Sequence, residues 1–283
     1  MTSGPLPTVV YIAGYGRSGS TVLDIMLGGH ARITSAGELT YLFDDFGDPR
    51  RFCGCGAGYS DCPLWGELPS SVHTADAAQI TRAMDKRRWL FGAGGTGHPS
   101  KQRRMSESYG WLWRQVFQHA GGVQGSDYVV DSSKTAREAA YRPVALAMHA
   151  GLAVKVIHLL RSPVAIARSL HRLQNWETEG HSRPVPPLAG FRAPLGWTAA
   201  QVNAIHLRAI LGVDNYLALW YENLQRDPRR ELTRIGEFIG CDLSNIISRA
   251  LAGEAFRVGH NVGGNPLRLA KDVVFKTKAA ATS

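Results

Sequence analysis

The chain has 283 residues, of which 44% are hydrophobic and 19% charged, and its formal net charge is +9. These proportions are typical of a globular protein and exclude a disordered chain or one made of membrane-spanning helices. The excess of Lys and Arg favours an anionic ligand, a membrane surface or nucleic acid. The basic residues are scattered in short clusters, which disfavours nucleic acid as the principal partner.

No stretch approaches the roughly 18 consecutive apolar residues of a membrane span, and residues 1–8 lack the basic start of a signal peptide. Four cysteines at this length do not make a secreted disulfide scaffold. We therefore expect a cytoplasmic protein without a membrane span. We also expect one domain over residues 1–283, with insertions near residues 43–69 and 176–197.

The first predicted elements are a strand and a helix joined by a phosphate-binding loop. Residues 8–13 form an apolar, β-branched run, and residues 21–27 are compatible with a helix. Between them, Gly14 and Gly19 have the spacing of the Walker loop G-x-x-x-x-G-K-[ST], and Thr21 takes its hydroxyl position. The sequence therefore predicts a site for a phosphate-like group.

The lysine of that loop is replaced by Ser20. The backbone amides of residues 19–21 can still bind an anion at the start of the helix, and Arg17 is the nearest positive charge. This loop does not favour hydrolysis of a nucleoside triphosphate.

Three cysteines, Cys53, Cys55 and Cys62, lie within ten positions, a density that suggests zinc. A structural zinc site needs four ligands, but Cys241 is remote in the sequence and His30 is the nearest other candidate. Because the three cysteines lack a fourth ligand, we favour one disulfide or free thiols over zinc.

Further strands are predicted at residues 127–130, 154–160 and 216–220, followed by helical segments at residues 136–149, 163–173 and 228–239. Short apolar strands that alternate with helices imply crossover connections. We therefore predict an α/β fold with a parallel sheet flanked by helices. Residues 92–99 are predicted to be a linker, and residues 180–194 an irregular surface loop or lid.

The strand at residues 127–130 leads to Asp131, which has the position of the Walker B carboxylate that binds magnesium in ATP-using P-loop enzymes. Ser132, Ser133 and Lys134 follow, and either serine is an ordinary N-cap for the next helix. This segment keeps a kinase that uses ATP and magnesium as an alternative.

The strand at residues 154–160 ends at Arg161, Pro163 is suited to the first turn of a helix, and Ser169 lies about two turns later. The planar guanidinium of arginine binds two oxygens of a terminal phosphate. The alternative is an arginine that pairs with a neighbouring acid at the sheet edge.

Together these segments resemble the sulfotransferases that use 3′-phosphoadenosine-5′-phosphosulfate (PAPS). Residues 17–21 match the family's R-[ST]-G-[ST]-[ST] loop, and residues 161–169 match its R-x-P element with a later serine. Residues 220–240 resemble YEDL…DP…L..I..FLG, and residues 260–268 resemble the H-x-x-x-G-N-x-x-R of many bacterial members. The resemblance runs from residue 9 to residue 268 and implies a P-loop-like sulfotransferase fold.

The resemblance also implies PAPS as co-substrate, without a required metal. The donor-binding residues that it implies are Gly16, Arg17, Ser18, Gly19, Ser20, Thr21, Arg161, Ser169, Tyr221, Gly264, Asn265 and Arg268. The loop would bind the 5′-phosphosulfate, and Arg161 with Ser169 the 3′-phosphate. Tyr221 would stack on adenine, and the last three residues would close over the 3′ side.

Residues 27–38 resemble the family's L-x-x-H-P…G-E segment, with Ala31 in place of proline. By this resemblance Glu38 is the base, and Lys134 is a candidate to stabilise the transferring group. A base must reach the acceptor hydroxyl, and the alternative for Glu38 is a charge at a helix N-terminus. The other candidate bases are His30, His158 and His171.

The predicted reaction is sulfuryl transfer from PAPS to a hydroxyl of a lipid, glycan or natural product, with release of 3′-phosphoadenosine 5′-phosphate (PAP). Trp176, Phe191 and Trp197 suit any of these acceptors equally. The alternatives are the kinase above and a non-catalytic nucleotide-binding protein.

Overall fold

The computed structural model describes residues 5–72, 76–86, 99–136, 139–174 and 189–278. Its strands are β1 (Thr8–Ala13), β2 (Ile33–Ser35), β3 (Tyr128–Asp131), β4 (Val154–Leu160), β5 (Tyr216–Trp220), β6 (Ala255–Arg257) and β7 (Asp272–Val274). Its helices are α1 (Ser20–Leu27), α2 (Leu42–Phe46), α3 (Ala77–Asp85), α4 (Pro99–Gln124), α5 (Arg142–Ala150), α6 (Pro163–Gln174), α7 (Ala189–Leu211), α8 (Tyr221–Arg226), α9 (Pro228–Ile239) and α10 (Ser244–Leu251).

Within this part of the chain, five strands form one parallel sheet in the order β2-β3-β1-β4-β5, and β6 and β7 form a separate antiparallel ribbon. The central strand β1 pairs with β3 and β4, so that Val10 lies between Val130 and Lys155. Parallel strands bring their carboxyl ends to the same edge of a sheet. The segments that follow β1, β3 and β4 therefore meet.

Alternate residues of β1 face opposite sides of the sheet. Val9 and Tyr11 join a core covered by α4 and α5, whereas Val10 and Ile12 join a core covered by α1, α9 and α10. Helices thus flank both faces, as expected for strands with continuous apolar runs. The predicted fold class is confirmed. Among the described residues, no helix is both long and apolar enough to cross a bilayer.

The predicted bounds of β1, β4, β5 and α9 are confirmed, and β3 lies one residue later than predicted. The helix predicted at residues 136–149 begins later, at Arg142, because Pro143 occupies its first turn, where a missing N–H costs no hydrogen bond. The sequence patterns did not indicate β2, β6 or β7, each of which has only three residues.

The prediction of an irregular loop at residues 180–194 is wrong for its last part, because α7 already begins at Ala189 and includes Pro194. The turns that follow bury Ala200, Ala204 and Leu207, which offsets the hydrogen bond that the proline cannot donate. The same helix contains the end of the insertion predicted at residues 176–197. Residues 180–188, and residues 92–98 of the predicted linker, lie outside the described residues.

A buried ion network joins the sheet to the helices on one face. The fully buried Arg142 donates from Nε to Asp131 Oδ2 (2.7 Å) and from Nη1 to Asp85 Oδ2 (3.0 Å). Tyr109 also donates to Asp85 (2.7 Å), and the Arg142 guanidinium lies 3.8 Å from the centre of the Trp113 ring. Two buried carboxylates therefore share one cation, whose removal would leave both without a countercharge.

Replacing Arg142 with leucine should lower the free energy of unfolding by about 3–5 kcal/mol, the usual cost of leaving buried charges unpaired. Urea denaturation monitored by tryptophan fluorescence measures this change. The control is Arg103→Leu, which breaks an exposed ion pair with Glu107 and should cost less than about 1 kcal/mol. Equal effects of the two substitutions would contradict the assigned role of the network.

Candidate active site

The loop between β1 and α1 has the backbone of an anion-binding turn. Gly19 has a φ of 93°, and a Cβ there would lie 2.3 Å from the ring of Tyr221, so only glycine fits. Arg17 also adopts a left-handed backbone, with a φ of 72°, which is uncommon for a residue with a side chain. The space beside Gly16 is open. The loop backbone is therefore not covered by other atoms at Gly16.

Helix α1 begins at Ser20, and no acidic residue occupies its first turn. Free N–H groups at a helix start carry partial positive charge and attract anions. The buried hydroxyl of Ser18 has no hydrogen-bond partner among the described residues, and Thr21, three positions later, is half-buried. These features suit an anionic ligand at the predicted position.

The structure brings the two predicted donor-binding motifs together. Arg17 Nε donates to Ser169 Oγ (3.0 Å), and Arg161 Nη1 donates to the backbone carbonyl of Arg17 (2.7 Å). The buried Nε of Arg161 lacks a partner within the described part of the chain. Two guanidinium groups and a hydroxyl therefore lie at the start of α1, although 152 positions separate Arg17 from Ser169.

Two further residues position Arg161. Its guanidinium lies 4.9 Å from the centre of the Tyr221 ring, a cation–π distance. Glu222 accepts a hydrogen bond from the backbone N–H of Ser162 (3.0 Å), and Trp197 Nε1 donates to the carbonyl of Arg161 (3.1 Å). Sequence reasoning missed Glu222. The only signal was its place within the segment that resembles the family signature.

The two predicted catalytic residues form a buried ion pair, in which Lys134 Nζ contacts Glu38 Oε1. Both side chains are 11% exposed. The pair lies close to the loop, because Thr135 beside Lys134 exchanges hydrogen bonds with Gly14 (3.1 Å each). A carboxylate and an ammonium group thus lie at the same sheet edge as the anion-binding turn.

The C-terminal segment lies against this pair, but its polar side chains point elsewhere. Glu38 N donates to the carbonyl of Val262 (2.7 Å), and Gly264 lies against the Glu38 carboxylate. Asn265 caps a short 3₁₀ helix at Pro266–Leu269 by accepting from Leu267 N. The buried Arg268 donates from Nη1 to the carbonyl of Phe52 (2.5 Å). Of the predicted donor-binding residues in this segment, Gly264 is thus the one that lies against Glu38, the predicted base.

A fully buried carboxylate, Asp24, connects the segments behind the site. It accepts hydrogen bonds from Ser35 Oγ (2.6 Å), Gly37 N (3.0 Å), Ser132 Oγ (2.7 Å) and Asn261 Nδ2 (3.4 Å). Burial raises its pKa to about 7, and the hydrogen bonds from the two serines oppose that shift. Sequence reasoning missed this residue, whose only signal was an acid within the apolar stretch of α1.

The histidines considered as alternative bases have other surroundings. The buried His158 contacts Tyr216 and Gln201 with its two ring nitrogens, and burial lowers its pKa. His30 accepts a hydrogen bond from Arg32 N (3.1 Å). The side chain of His171 lies outside the described residues, as do Trp176 and the side chain of Phe191.

The carboxylate that supported the kinase alternative is already engaged. Asp131 Oδ2 pairs with Arg142, and Asp131 Oδ1 accepts from Ser133 N (3.0 Å). Both oxygens of this buried side chain therefore have protein partners, which disfavours Asp131 as a metal ligand.

The three clustered cysteines meet a histidine from the C-terminal segment. Cys53, Cys55, Cys62 and His260 have ligand atoms that all lie within 4.8 Å of one another, and the cysteines are free thiols. Hydrogen bonding with Cys53 lowers the pKa of Cys62 and that of Cys55 below the ordinary value of a thiol. The sequence argument that a fourth ligand is missing is therefore wrong. The fold supplies it from 198 positions away, whereas His30 lies beside Cys241.

The raised pKa of Asp24 predicts a pH-dependent stability. Because its folded-state value of about 7 exceeds the ordinary 3.8, the folded state binds the proton more tightly, so stability falls as pH rises between these values. Relative to Asp24→Asn, the wild type should lose about 3 kcal/mol of unfolding free energy from pH 4 to pH 7. Urea denaturation across this range measures the difference.

The matched control is Asp242→Asn. Hydrogen bonds from Ser244 lower the pKa of Asp242, so its titration lies below this pH range and the corresponding difference should stay constant. A constant difference for Asp24→Asn as well would contradict the burial of a carboxylate at this position.

Comparisons with known proteins agree with this architecture. A protein-family model described as the sulfotransferase family matches residues 7–245. The sulfotransferase domain from the curacin biosynthetic pathway is 18% identical, with a TM-score of 0.52 over 96% of this chain and 85% of that chain. A sulfotransferase from Mycobacterium avium is 16% identical, with a TM-score of 0.50 over 88% and 69%. A search of curated proteins finds no match.

At these identities the two solved structures support the fold alone. The family model, however, covers well over half of the 283 residues and includes the loop, Glu38, Lys134, Arg161 and Ser169. The chain belongs to the sulfotransferase family, whose members are transferases of sulfuryl groups.

Proposed function

We propose that this protein transfers a sulfuryl group from PAPS to a hydroxyl of a small molecule, glycan or lipid and releases PAP. The observation that carries the proposal is the contact of Arg17 with Ser169 and Arg161. It places two cations beside a phosphate loop in which Ser20 stands in place of lysine. A donor with anionic groups at both its 5′ and 3′ positions fits such a site better than a nucleoside triphosphate does.

Buried polar atoms that lack a protein partner support this fit. Ser18 Oγ and Arg161 Nε have none within the described residues, although most buried polar atoms in proteins are hydrogen-bonded. Phosphate and sulfate oxygens are acceptors that both groups can use. We assign Ser18 and the loop amides to the 5′-phosphosulfate, and Arg161 with Ser169 to the 3′-phosphate.

We assign proton abstraction to Glu38, because its carboxylate lies at the same edge of the sheet as the loop. Glu38 takes the proton of the acceptor hydroxyl while that oxygen forms a bond to sulfur. The bond between sulfur and the 5′-phosphate oxygen breaks, and PAP leaves with the electron pair. Arg17 and the loop amides stabilise the negative charge on the leaving phosphate by preorganised electrostatics.

Lys134 holds the Glu38 carboxylate in place through the ion pair and supplies positive charge next to the transferring group. Its own position is fixed by its left-handed backbone and by Tyr11, whose hydroxyl donates to the Lys134 carbonyl. Both groups are therefore held before an acceptor binds, which reduces the reorganisation needed during transfer.

The donor assignment predicts selectivity for the 3′-phosphate. Isothermal titration should show that PAP binds without metal and that ATP with magnesium binds more weakly than PAP. Ser169→Ala and Arg161→Ala should each weaken PAP binding about 10–100-fold, as expected for lost hydrogen bonds to a charged group. The same substitutions should change the binding of 5′-AMP, which lacks the 3′-phosphate, much less.

Arg168→Ala is the matched control, since Arg168 is exposed on the same helix, α6. It should leave the affinity for PAP near that of the wild type. Equal losses for PAP and 5′-AMP in Ser169→Ala would contradict the assignment of the 3′-phosphate to this residue.

The catalytic assignment predicts turnover that depends on Glu38. PAPS incubated with the protein and a panel of phenols, glycans and lipid alcohols should release PAP faster with at least one acceptor. Glu38→Gln should lower kcat by about 10²–10⁴-fold, the usual contribution of a general base, while PAP affinity is retained. PAP release coupled to a nucleotide assay measures kcat, and isothermal titration measures the affinity for PAP.

Glu67→Gln, which changes an exposed glutamate, should turn over like the wild type. Near-normal turnover by Glu38→Gln would remove Glu38 from the mechanism. If the protein binds PAP but no acceptor in the panel stimulates the formation of PAP from PAPS, the non-catalytic nucleotide-binding protein is favoured instead.

A further inference from the structure

We propose that Cys53, Cys55, Cys62 and His260 bind one zinc ion that fastens the loop at residues 53–62 to the C-terminal segment. This site is separate from the proposed sulfuryl transfer, and its existence does not depend on that function. The set of three thiols and one imidazole is a recognised combination for structural zinc, which takes four ligands in a tetrahedron.

The distances between ligand atoms match a single ion. Zinc–sulfur bonds of about 2.3 Å in a tetrahedron place two sulfurs about 3.8 Å apart. Cys62 Sγ lies 3.8 Å from Cys55 Sγ and 3.5 Å from Cys53 Sγ, and 3.3 Å from His260 Nδ1. One disulfide would use two of the three thiols and leave the third and the imidazole unused, whereas one tetrahedral ion uses all four groups.

The local sequence shapes the backbone for this site. Gly56 N donates to the carbonyl of Cys53 (2.9 Å), and Cys53 N donates to the carbonyl of Ala57 (2.9 Å), which closes a tight turn around Cys55. A Cβ on Gly54 would lie 2.8 Å from the carbonyl oxygen of Gly259, so glycine is needed for the turn to approach the histidine. The Cys-Gly-Cys-Gly sequence thus encodes the geometry of the turn.

Hydrogen bonds around the ligands hold them in place, as expected around a metal. Trp65 donates from its backbone N–H to Cys62 Sγ (3.5 Å) and from Nε1 to the carbonyl of His260 (2.6 Å). Gly54 N donates to the carbonyl of Asn261 (3.0 Å). Cys53 and Cys62 are buried and Cys55 is exposed, so an ion can enter from the side of Cys55.

Charge also favours a metal here. Three thiolates and a neutral imidazole around Zn²⁺ leave one negative charge. Arg268, 3% exposed, donates to the carbonyl of Phe52, the residue before Cys53, and no carboxylate in the described part of the chain forms an ion pair with it. A buried cation beside the cluster balances the site, since buried charges need a countercharge.

Zinc bound by these four residues would cross-link two parts of the chain that are distant in sequence. Cys62, in the loop, and His260 are 198 positions apart in the sequence. The segment after His260 carries Val262 and Gly264, which contact Glu38. Zinc would therefore fix the backbone that surrounds the proposed base, as a structural ion and not as a reactant.

Elemental analysis tests the proposal. Protein expressed in zinc-supplemented medium and purified without chelator should contain about one zinc per chain, the stoichiometry of a four-ligand site. Cys62→Ser and His260→Ala should each lose most of it. The control Cys241→Ser changes a free buried cysteine outside the cluster and should keep the zinc content of the wild type.

Three measurements on the wild type remain valid if those variants fail to fold. A mercurial thiol reagent should release zinc that a colorimetric chelator detects, and cobalt(II) exchanged into the site should show the thiolate charge-transfer absorption of a tetrahedral ion. A thermal shift should show that removal of zinc lowers the Tm, because binding stabilises the folded state.

Zinc-free protein that also takes up no cobalt would overturn the proposal. So would an intact mass two daltons low from a disulfide within the cluster, or stoichiometric iron with acid-labile sulfide. Each result is independent of PAPS binding and turnover, so failure of the zinc site is distinguishable from failure of the proposed function.

Discussion

The arrangement of the site depends on the buried carboxylate of Asp24. This side chain belongs to the fifth residue of helix α1. It accepts hydrogen bonds from the end of β2, the turn before Glu38, the residue after β3 and the C-terminal segment. A buried carboxylate without these donors would be unfavourable, so the segments that supply them must converge. The same convergence places Glu38 next to Lys134.

The positions of the two arginines at the loop depend on the order of the strands in the sheet. Arg17 and Arg161 belong to two strand–helix units, and the parallel sheet brings both to its carboxyl edge. Ser169, Tyr221 and Glu222 then limit where the two guanidinium groups can lie. Two guanidinium groups therefore lie at a loop that has no Walker lysine, and this is the charge on which the proposed donor site depends.

Local sequence patterns predicted the long strands well because each is a bounded apolar run buried on both faces, as in β1 and β4. They failed for β2, whose three residues are too few for a pattern, and for α7, where prolines suggested a loop. They also placed the start of α5 too early. In these elements the tertiary packing outweighs local preference.

By itself, the sequence determined the α/β class, the loop between β1 and α1 and the residues whose motifs resemble the sulfotransferase family, with Arg17 and Arg161 among them. Only the tertiary structure decided that Glu38 pairs with Lys134, 96 positions away, and that His260 completes the cysteine cluster. The physical reason is that periodicity encodes which face of an element is buried, whereas the partner of a polar side chain depends on strand order and on loops that meet only in the folded chain.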